Sequence, residues 1–448
     1  MARAVKAEKL PYGSTDEMRQ RVLAVLGVVK VATAAQLRQL VCPGTVDVQT
    51  ARNACKDLAV LGLAESVGKA TRAGKGGRKV REDLWNLTAA GLEAAAAMLD
   101  RPAREMGGTA RNAAAAGAPH ARKVTDVIDA FLQTPPEPTR PPVRRNAPAR
   151  PARPLPVRPP GLGTIASWST EVGLPVTGTF AHPGKGSPRA DAVVVAPEMG
   201  LPVLFVEVDN GTQDPAIVAA KLDRYRAFFR RTTKTTGGRE VPMWRLLYQP
   251  PQREGHPPVA LVFTQQAARE ETVLARMKTI RDLSRACWAG RRVFEGYTDY
   301  GDTVPVLAIT LDRLRTHGPL GPVWWRYGHQ PWQTLTDALA DTDDEAACRA
   351  REEKRRAEDQ ARQERERREQ EEARRRRETT AWPCPTCGRT TYPPDPAWDD
   401  SDQPTEPGDD CTVCARAKER ERQDAEARAA AEVEAAAARR SPLRRLFG

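Results

Sequence analysis

Residues 351–378 carry twelve basic and ten acidic side chains and, apart from three alanines, nothing apolar. A helix of that composition has no face to bury, so the chain cannot close around a single core. Glu352/Arg356, Glu358/Arg362, Glu364/Arg368, Glu371/Arg375 and Glu372/Arg376 stand Glu-first at i, i+4, the order that supports an isolated helix. No apolar a/d seam accompanies them, which argues against a coiled coil and for a lone solvated helix of about 42 Å acting as a spacer. The length of 448 residues agrees, since a domain of roughly 150 residues suggests two or three units. With 38 prolines, 32 glycines and a mean hydropathy of −0.57, a sizeable part of the chain should be linker.

Charge separates the two ends. The net +12 lies wholly in residues 1–160, which hold 26 basic and 14 acidic side chains, whereas the remainder holds 44 of each. A surplus confined to one end points to a polyanion-binding module, with nucleic acid as the first candidate. The start lacks an apolar leader region and no 18-residue apolar run occurs, so a cytoplasmic protein with no membrane partner is expected.

Residues 15–100 read as helix, helix, helix, strand, turn, strand, helix, the order of a winged helix-turn-helix. Leu23, Leu26 and Val29 repeat at helical spacing, Thr33 precedes a helix over Ala34 to Val41, and a third helix spans about Asp47 to Leu61. Strands Leu63 to Val67 and Asp83 to Leu87 flank a glycine-rich basic turn from Lys69 to Lys79, and Thr88 caps a closing helix to Leu99. The third helix offers Gln49, Thr50, Arg52, Asn53 and Lys56 to a major groove. Lys69, Arg72, Lys75, Arg78 and Lys79 in the turn suit phosphates. The same module also serves protein interaction in other settings, and the charge surplus favours duplex DNA.

Residues 118–330 form the second expected domain. A helix from His120 to Leu132 is followed by a segment, 134–160, with eleven prolines and six arginines, read either as a basic tether or as a surface-loop insertion. Strands follow at 168–172, 190–196, 203–208, 259–264 and 304–310, with helices from Asp214-Pro215 to Arg231 and from Arg269 to Ala286. This is an α/β arrangement with a mixed sheet. Glu207 and Asp209 stand at i, i+2 and face one side of their strand, and a hairpin partner brings Asp191 beside them. Three converging carboxylates suit Mg²⁺ or Mn²⁺. Asp126 and Asp129 read as an added ligand or as surface carboxylates, and Trp324, Trp325, Tyr327 and Trp332 as a base-stacking cluster or a core lid.

Beyond the charged helix, placed at 341–380, the tail 381–448 holds Cys384-Pro-Thr-Cys387-Gly388 and Cys411-Thr-Val-Cys414, separated by 23 residues. Two CxxC pairs predict a structural Zn²⁺ in a four-cysteine, zinc ribbon-like module with a helix. The loop between them is polar and could not fold without metal.

Asp191, fifteen residues, then Glu207-Val208-Asp209, set within helix, strand, strand, strand, helix, strand, resembles the PD-(D/E)XK nuclease-like core. More narrowly, the chain resembles the replication-relaxation family over about residues 15–325. The residues concerned are Ala34-Ala-Gln-Leu37, Leu84-Trp-Asn-Leu-Thr88, Arg189-Ala-Asp-Ala192, Phe205-Val-Glu-Val-Asp-Asn-Gly-Thr212 and Lys221-Leu-Asp-Arg-Tyr225. That resemblance implies an actinobacterial type of protein linked with plasmid replication and DNA relaxation. It makes Asp191, Glu207, Asp209 and Lys221 the candidate catalytic set. The nuclease pattern ends in a lysine where this chain has Asp209, and a carboxylate offers no positive charge to a phosphate. Lys221 reads either as that lysine moved to the next helix or as a solvated helix lysine. The expectation is a DNA-binding protein acting in replication or relaxation of plasmid or mobile-element DNA, with a degenerate nuclease-like domain, in company with replication or mobilisation proteins. A metal-dependent nickase and a winged-helix transcriptional regulator are the alternatives.

Overall fold

The computed structural model describes residues 10–45, 47–73, 79–108, 114–133, 158–251, 255–265, 268–394 and 404–440. It is a mixed α/β structure whose described residues form twelve helices, and it divides into two units, Met1–Cys348 and Arg349–Gly448.

In the first unit, α1 (Asp16–Val28) begins at Thr15, whose side chain accepts the Met18 N–H, with Asp16 and Glu17 in the turn where the helix dipole favours acids. After β1 (Ala32–Thr33), Thr33 caps α2 (Ala34–Val41) reciprocally. The Gln36 N–H donates to Thr33 Oγ1 at 3.2 Å, and the Thr33 N–H donates to Gln36 Oε1 at 3.1 Å. α3 (Gln49–Val60) buries Ala51, Ala54, Cys55 and Leu58, small enough for close packing on α1 and α2. β2 (Ala64–Ala73) and β3 (Lys79–Leu87) run antiparallel from Ala64↔Leu87 to Ala73↔Lys79, with a register shift between Ser66 and Gly68, and β1 pairs with the other edge of β3. Both strands are longer than expected. Lys69 and Lys79 lie on the ladder, because the small residues Gly68 and Ala70 let pairing continue past Val67. α4 (Ala89–Met98) starts at Thr88, as its capping side chain dictates.

α5 (Ala114–Leu132) begins six residues earlier than expected and carries Pro119 within it. Then come β4 (Trp168–Gly173), β5 (Arg189–Ala196), β6 (Leu201–Asp209) and α6 (Pro215–Arg230), the last opened by Asp214 as N-cap and proline at its first position. A small hairpin, β7 (Thr232–Lys234) and β8 (Glu240–Pro242), precedes β9 (Val259–Phe263). α7 (Glu270–Leu283) and α8 (Arg285–Trp288) replace the single expected helix, parted at Ser284. A second hairpin, β10 (Arg291–Arg292) and β11 (Thr298–Asp299), leads to β12 (Val306–Thr310), α9 (Leu311–His317), β13 (Trp325–Arg326) and α10 (Leu335–Leu339). Six strands form one sheet in the order β13-β12-β9-β6-β5-β4. β6, β9 and β12 are parallel, and the remaining pairings are antiparallel.

The two-residue period of β6 sorts its side chains. Val203 and Phe205 pack on Leu222, Tyr225, Phe228 and Phe229 of α6 and on Met277 and Ile280 of α7. Leu204, Val206 and Val208 face Val124, Val127, Ile128 and Phe131 of α5, and this layer runs without a break into Val22, Leu26, Leu37 and Leu58 of the first three helices. Thr170 on β4 donates its hydroxyl to Val28 O at 2.6 Å, and the Gly107 N–H reaches Gly27 O at 2.9 Å. The N-terminal helices and the six-stranded sheet therefore share one core. Trp324, Trp325 and Tyr327 are buried within the unit.

In the second unit, α11 (Glu345–Thr379) extends beyond the charged run and has no buried residue. β14 (Trp382–Pro383) and β15 (Thr390–Thr391) make a short hairpin, and α12 (Thr412–Arg440) ends the described chain. No helix among the described residues is long and apolar enough to cross a membrane. Most of the Pro/Arg-rich segment 134–160 lies outside the described residues.

Candidate functional site

Asp191 on β5, Glu207 and Asp209 on β6 and Lys221 on α6 line one cavity of about 100 Å³, together with His120, Asn210, Thr212 and Gln213. The hairpin register and the same-side spacing of Glu207 and Asp209 place the carboxylates, and α6 returns over that face of the sheet to deliver Lys221.

Each carboxylate meets a different cation. Lys221 Nζ and the Tyr225 hydroxyl both bind Glu207, one on each oxygen. Arg276 on α7 grips Asp209 with Nε at 2.6 Å and Nη2 at 3.1 Å, and the Gly211 N–H adds 2.7 Å. His120 Nε2 stands 3.0 Å from Asp191 Oδ1, while Asp191 Oδ2 accepts the Val208 N–H at 2.8 Å. Asn210 Nδ2 lies 3.0 Å from His120 Nδ1, and its Oδ1 accepts the Thr264 hydroxyl, so the ring is held from both sides.

The electrostatics follow from burial. Burial, with the Asp191 charge adding to it, pushes Glu207 up to about 8 against the pull of Lys221 and Tyr225. Burial also pushes Asp191 up, but the His120 hydrogen bond and the Lys221 charge outweigh it and hold the carboxyl below its ordinary value. His120 moves up, chiefly through its bond to Asp191. Among the described residues, the cysteine quartet is the one group of three or more metal-ligating side chains whose ligand atoms all lie within 4.8 Å of one another. Asp209 is committed to Arg276.

His120, Tyr225, Asn210 and Arg276 escaped the sequence reading. Arg276 lies 67 residues from Asp209 and no local pattern marks it. Tyr225 and Asn210 stood in the sequence only within the segments that carry the family resemblance, with no site role attached. Asp126 and Asp129, expected as a further ligand or as surface groups, turn elsewhere. The Asp126 carboxylate accepts Gln36 Nε2 of α2 at 2.8 Å, and Asp129 is buried near Arg158.

On the surface of the first three helices, Gln49 and Thr50 are exposed and Arg52, Asn53 and Lys56 half-buried. Gln49 Nε2 donates to Asn53 Oδ1 at 2.6 Å and Arg52 Nη1 donates to Gln49 Oε1 at 2.9 Å, which joins three groove-type side chains into one array. Lys56 Nζ sits 4.8 Å over the Tyr12 ring. Lys69 and Lys79 are exposed on the β2–β3 hairpin. Lys75, Arg78 and the side chain of Arg72 lie outside the described residues.

In the second unit, Cys384, Cys387, Cys411 and Cys414 come together and could bind a metal ion. The Gly388 N–H donates to Cys384 O at 2.8 Å with Gly388 at φ +71°, the left-handed turn a knuckle needs. Burial opposes ionisation of Cys384, but N–H groups of Cys411, Cys387 and Thr386 bring its thiol down to about 7, toward the thiolate a metal takes.

The family model described as replication-relaxation matches residues 23–241, a span that runs from α1 into β8 and contains Asp191, Glu207, Asp209 and Lys221. This likeness suggests a role in replication or relaxation of DNA. No curated protein and no solved structure matches the chain.

Proposed function

We propose that the protein binds duplex DNA of a plasmid or other mobile element and acts in its replication or relaxation. In this reading residues 15–100 form a winged helix-turn-helix, with α3 in the major groove and the β2–β3 hairpin as the wing. Residues 118–330 form a degenerate PD-(D/E)XK-like domain, and replication or mobilisation proteins are the expected protein partners. The observation that carries the reading is the joined array Gln49, Arg52 and Asn53 on the outer face of α3, beside a hairpin bearing Lys69 and Lys79. Groove-reading amide and guanidinium groups next to phosphate-seeking lysines make a DNA interface. Degeneracy is supported by charge: His120, Lys221 and Arg276 each occupy one carboxylate. Fluorescence anisotropy of the full chain on duplex DNA tests the reading. Lys69→Ala with Lys79→Ala should weaken binding to every sequence and lower the slope of log K against log salt by up to about two. Binding and slope unchanged by that pair would remove the wing's role.

A metal-dependent nickase is the second reading, favoured by Asp191, Glu207 and Lys221 lining one cavity. Asp191 and Glu207 would hold Mg²⁺ or Mn²⁺, which would polarise the phosphate, and Lys221 would leave Glu207 to supply positive charge. Mg²⁺-dependent nicking of supercoiled DNA, lost in Glu207→Ala, would establish this reading over degeneracy. For the second unit, Zn²⁺ is the proposed ion, because four thiolates at tetrahedral spacing suit it and leave no open position.

A further inference from the structure

A second group of cations gathers where three elements of the first unit meet, apart from both the α3 face and the carboxylate cavity. Arg158 Nη1 stands 3.9 Å from Asp129 Oδ1, Arg315 Nη2 on α9 stands 3.9 Å from Asp126 Oδ1, and Lys123 Nζ is 4.0 Å from Asp126 Oδ2. Arg38 on α2 adds its charge to the field at Asp129. At these separations charges attract without sharing a hydrogen bond, so the guanidinium donors are not consumed by the acids beneath them. Asp126 is instead bound by Gln36 Nε2, and Asp129 Oδ1 accepts no hydrogen bond at all. Burial pushes Asp129 up to about 6, against the opposing pull of Arg158, Arg315 and Arg38.

Position gives this group its meaning. Arg38 Nη1 donates to Thr45 O at 2.5 Å, in the turn that leads into α3. The cations therefore begin at the base of the helix proposed to enter the groove and continue across α5 to α9. Arg158 and Arg315 keep 24% and 35% of their side chains exposed and Lys123 33%. Four cations over two buried or half-buried aspartates leave a positive surplus, and the acids act as struts that hold the side chains in place. Arginine suits phosphate because its planar fork presents two parallel N–H groups.

We propose that Arg38, Lys123, Arg158 and Arg315 form a backbone-tracking surface for phosphates of the same duplex that α3 contacts. This rests on the DNA-binding reading above and adds to it a second, sequence-independent contact outside the winged helix. A duplex held at both places cannot pivot about α3, so its path over the first unit is set.

The test uses the full chain and duplex DNA in anisotropy titrations at several salt concentrations. Arg38→Gln, Arg158→Gln and Arg315→Gln together should weaken binding at least tenfold, equally on all sequences, and lower the salt slope by about two to three. The corresponding triple lysine variant should recover most of the slope. If the glutamine triple does not fold, Arg315→Gln alone should lower the slope by about one. Unchanged affinity and slope in these variants, with binding still weakened in Lys69→Ala/Lys79→Ala, overturns this surface and leaves the DNA reading intact. A wild-type chain that binds no duplex DNA overturns both.

Discussion

The carboxylate cavity and the cysteine quartet obtain their geometry in opposite ways. Glu207 and Asp209 stand on a central strand, with Phe205, Tyr225 and Phe229 packed on one face of the sheet and Phe131 and Trp168 on the other, so the fold places them before any ligand arrives. Around the cysteines little is buried beyond Trp382, Cys384 and Thr391, and α11 has no buried residue. A site of the first kind is prepared by the hydrophobic core, whereas one of the second kind would draw its order from an ion bound there.

The largest expected effect follows from that contrast. If the quartet holds zinc as proposed, its removal by chelation or Cys387→Ala would take away a binding free energy of about 10 kcal/mol or more, which in such a module is its folding free energy. Limited proteolysis should then cleave between Cys384 and Cys414 while the first unit melts at an unchanged temperature. Protein purified under reducing conditions without bound zinc, yet protease-resistant there, would break the comparison.

Next comes the buried pair Asp209 and Arg276, whose side chains are 5% and 14% exposed. Asp209→Ala leaves a guanidinium with only Gln213 O for company and should destabilise the first unit by about 3 to 5 kcal/mol. The double variant Asp209→Ala/Arg276→Met should recover much of the loss. Denaturant melts of the three proteins measure it, and an additive double variant would show that the two side chains act independently.

What the sequence made legible follows from distance along the chain. Thr33 and Gln36 are three residues apart and mark the start of α2. Glu207 and Asp209 are two apart and share a face, and Asp214-Pro215 opens the helix that carries Lys221 over it. His120 and Arg276 are joined to Asp191 and Asp209 only by the packing of α5 and α7, which no local periodicity encodes. The basic hairpin was read too short because glycine and lysine look like loop residues, although ladder hydrogen bonds tolerate both at an edge. Asp126 and Asp129 read as a further ligand or as surface groups because, apart from Lys123 beside Asp126, their partners Gln36, Arg315 and Arg158 lie 29 or more residues away in sequence.

Asp129 gives a pH-dependent test of smaller size. Its folded pKa is raised from 3.8 to about 6, so the folded state binds the proton more tightly than the unfolded chain. The resulting stabilisation is complete below pH 4 and is lost as pH rises through 6. Asp129→Asn should therefore gain about 2 to 3 kcal/mol over wild type at pH 7 and nothing below pH 4. Parallel denaturant series at the two pH values decide it, and an equal difference at both would assign the effect to packing.

The smallest effects belong to α11. Glu358 meets Lys354 at 3.8 Å and Arg362 meets Asp359 at 2.8 Å, in place of the Glu358/Arg362 pair that spacing suggested. Exposed pairs of this kind are worth about 0.3 to 0.5 kcal/mol each and are screened by salt. With no buried residue to hold the helix, these pairs and the propensities of alanine, glutamate and arginine are its whole support. Raising salt to about 1 M, where the Debye length falls to roughly 3 Å, should speed amide exchange along α11 several-fold and leave α5 unchanged. Exchange in α11 as slow as in α5, and insensitive to salt, would mean that a partner or a second copy covers it in solution.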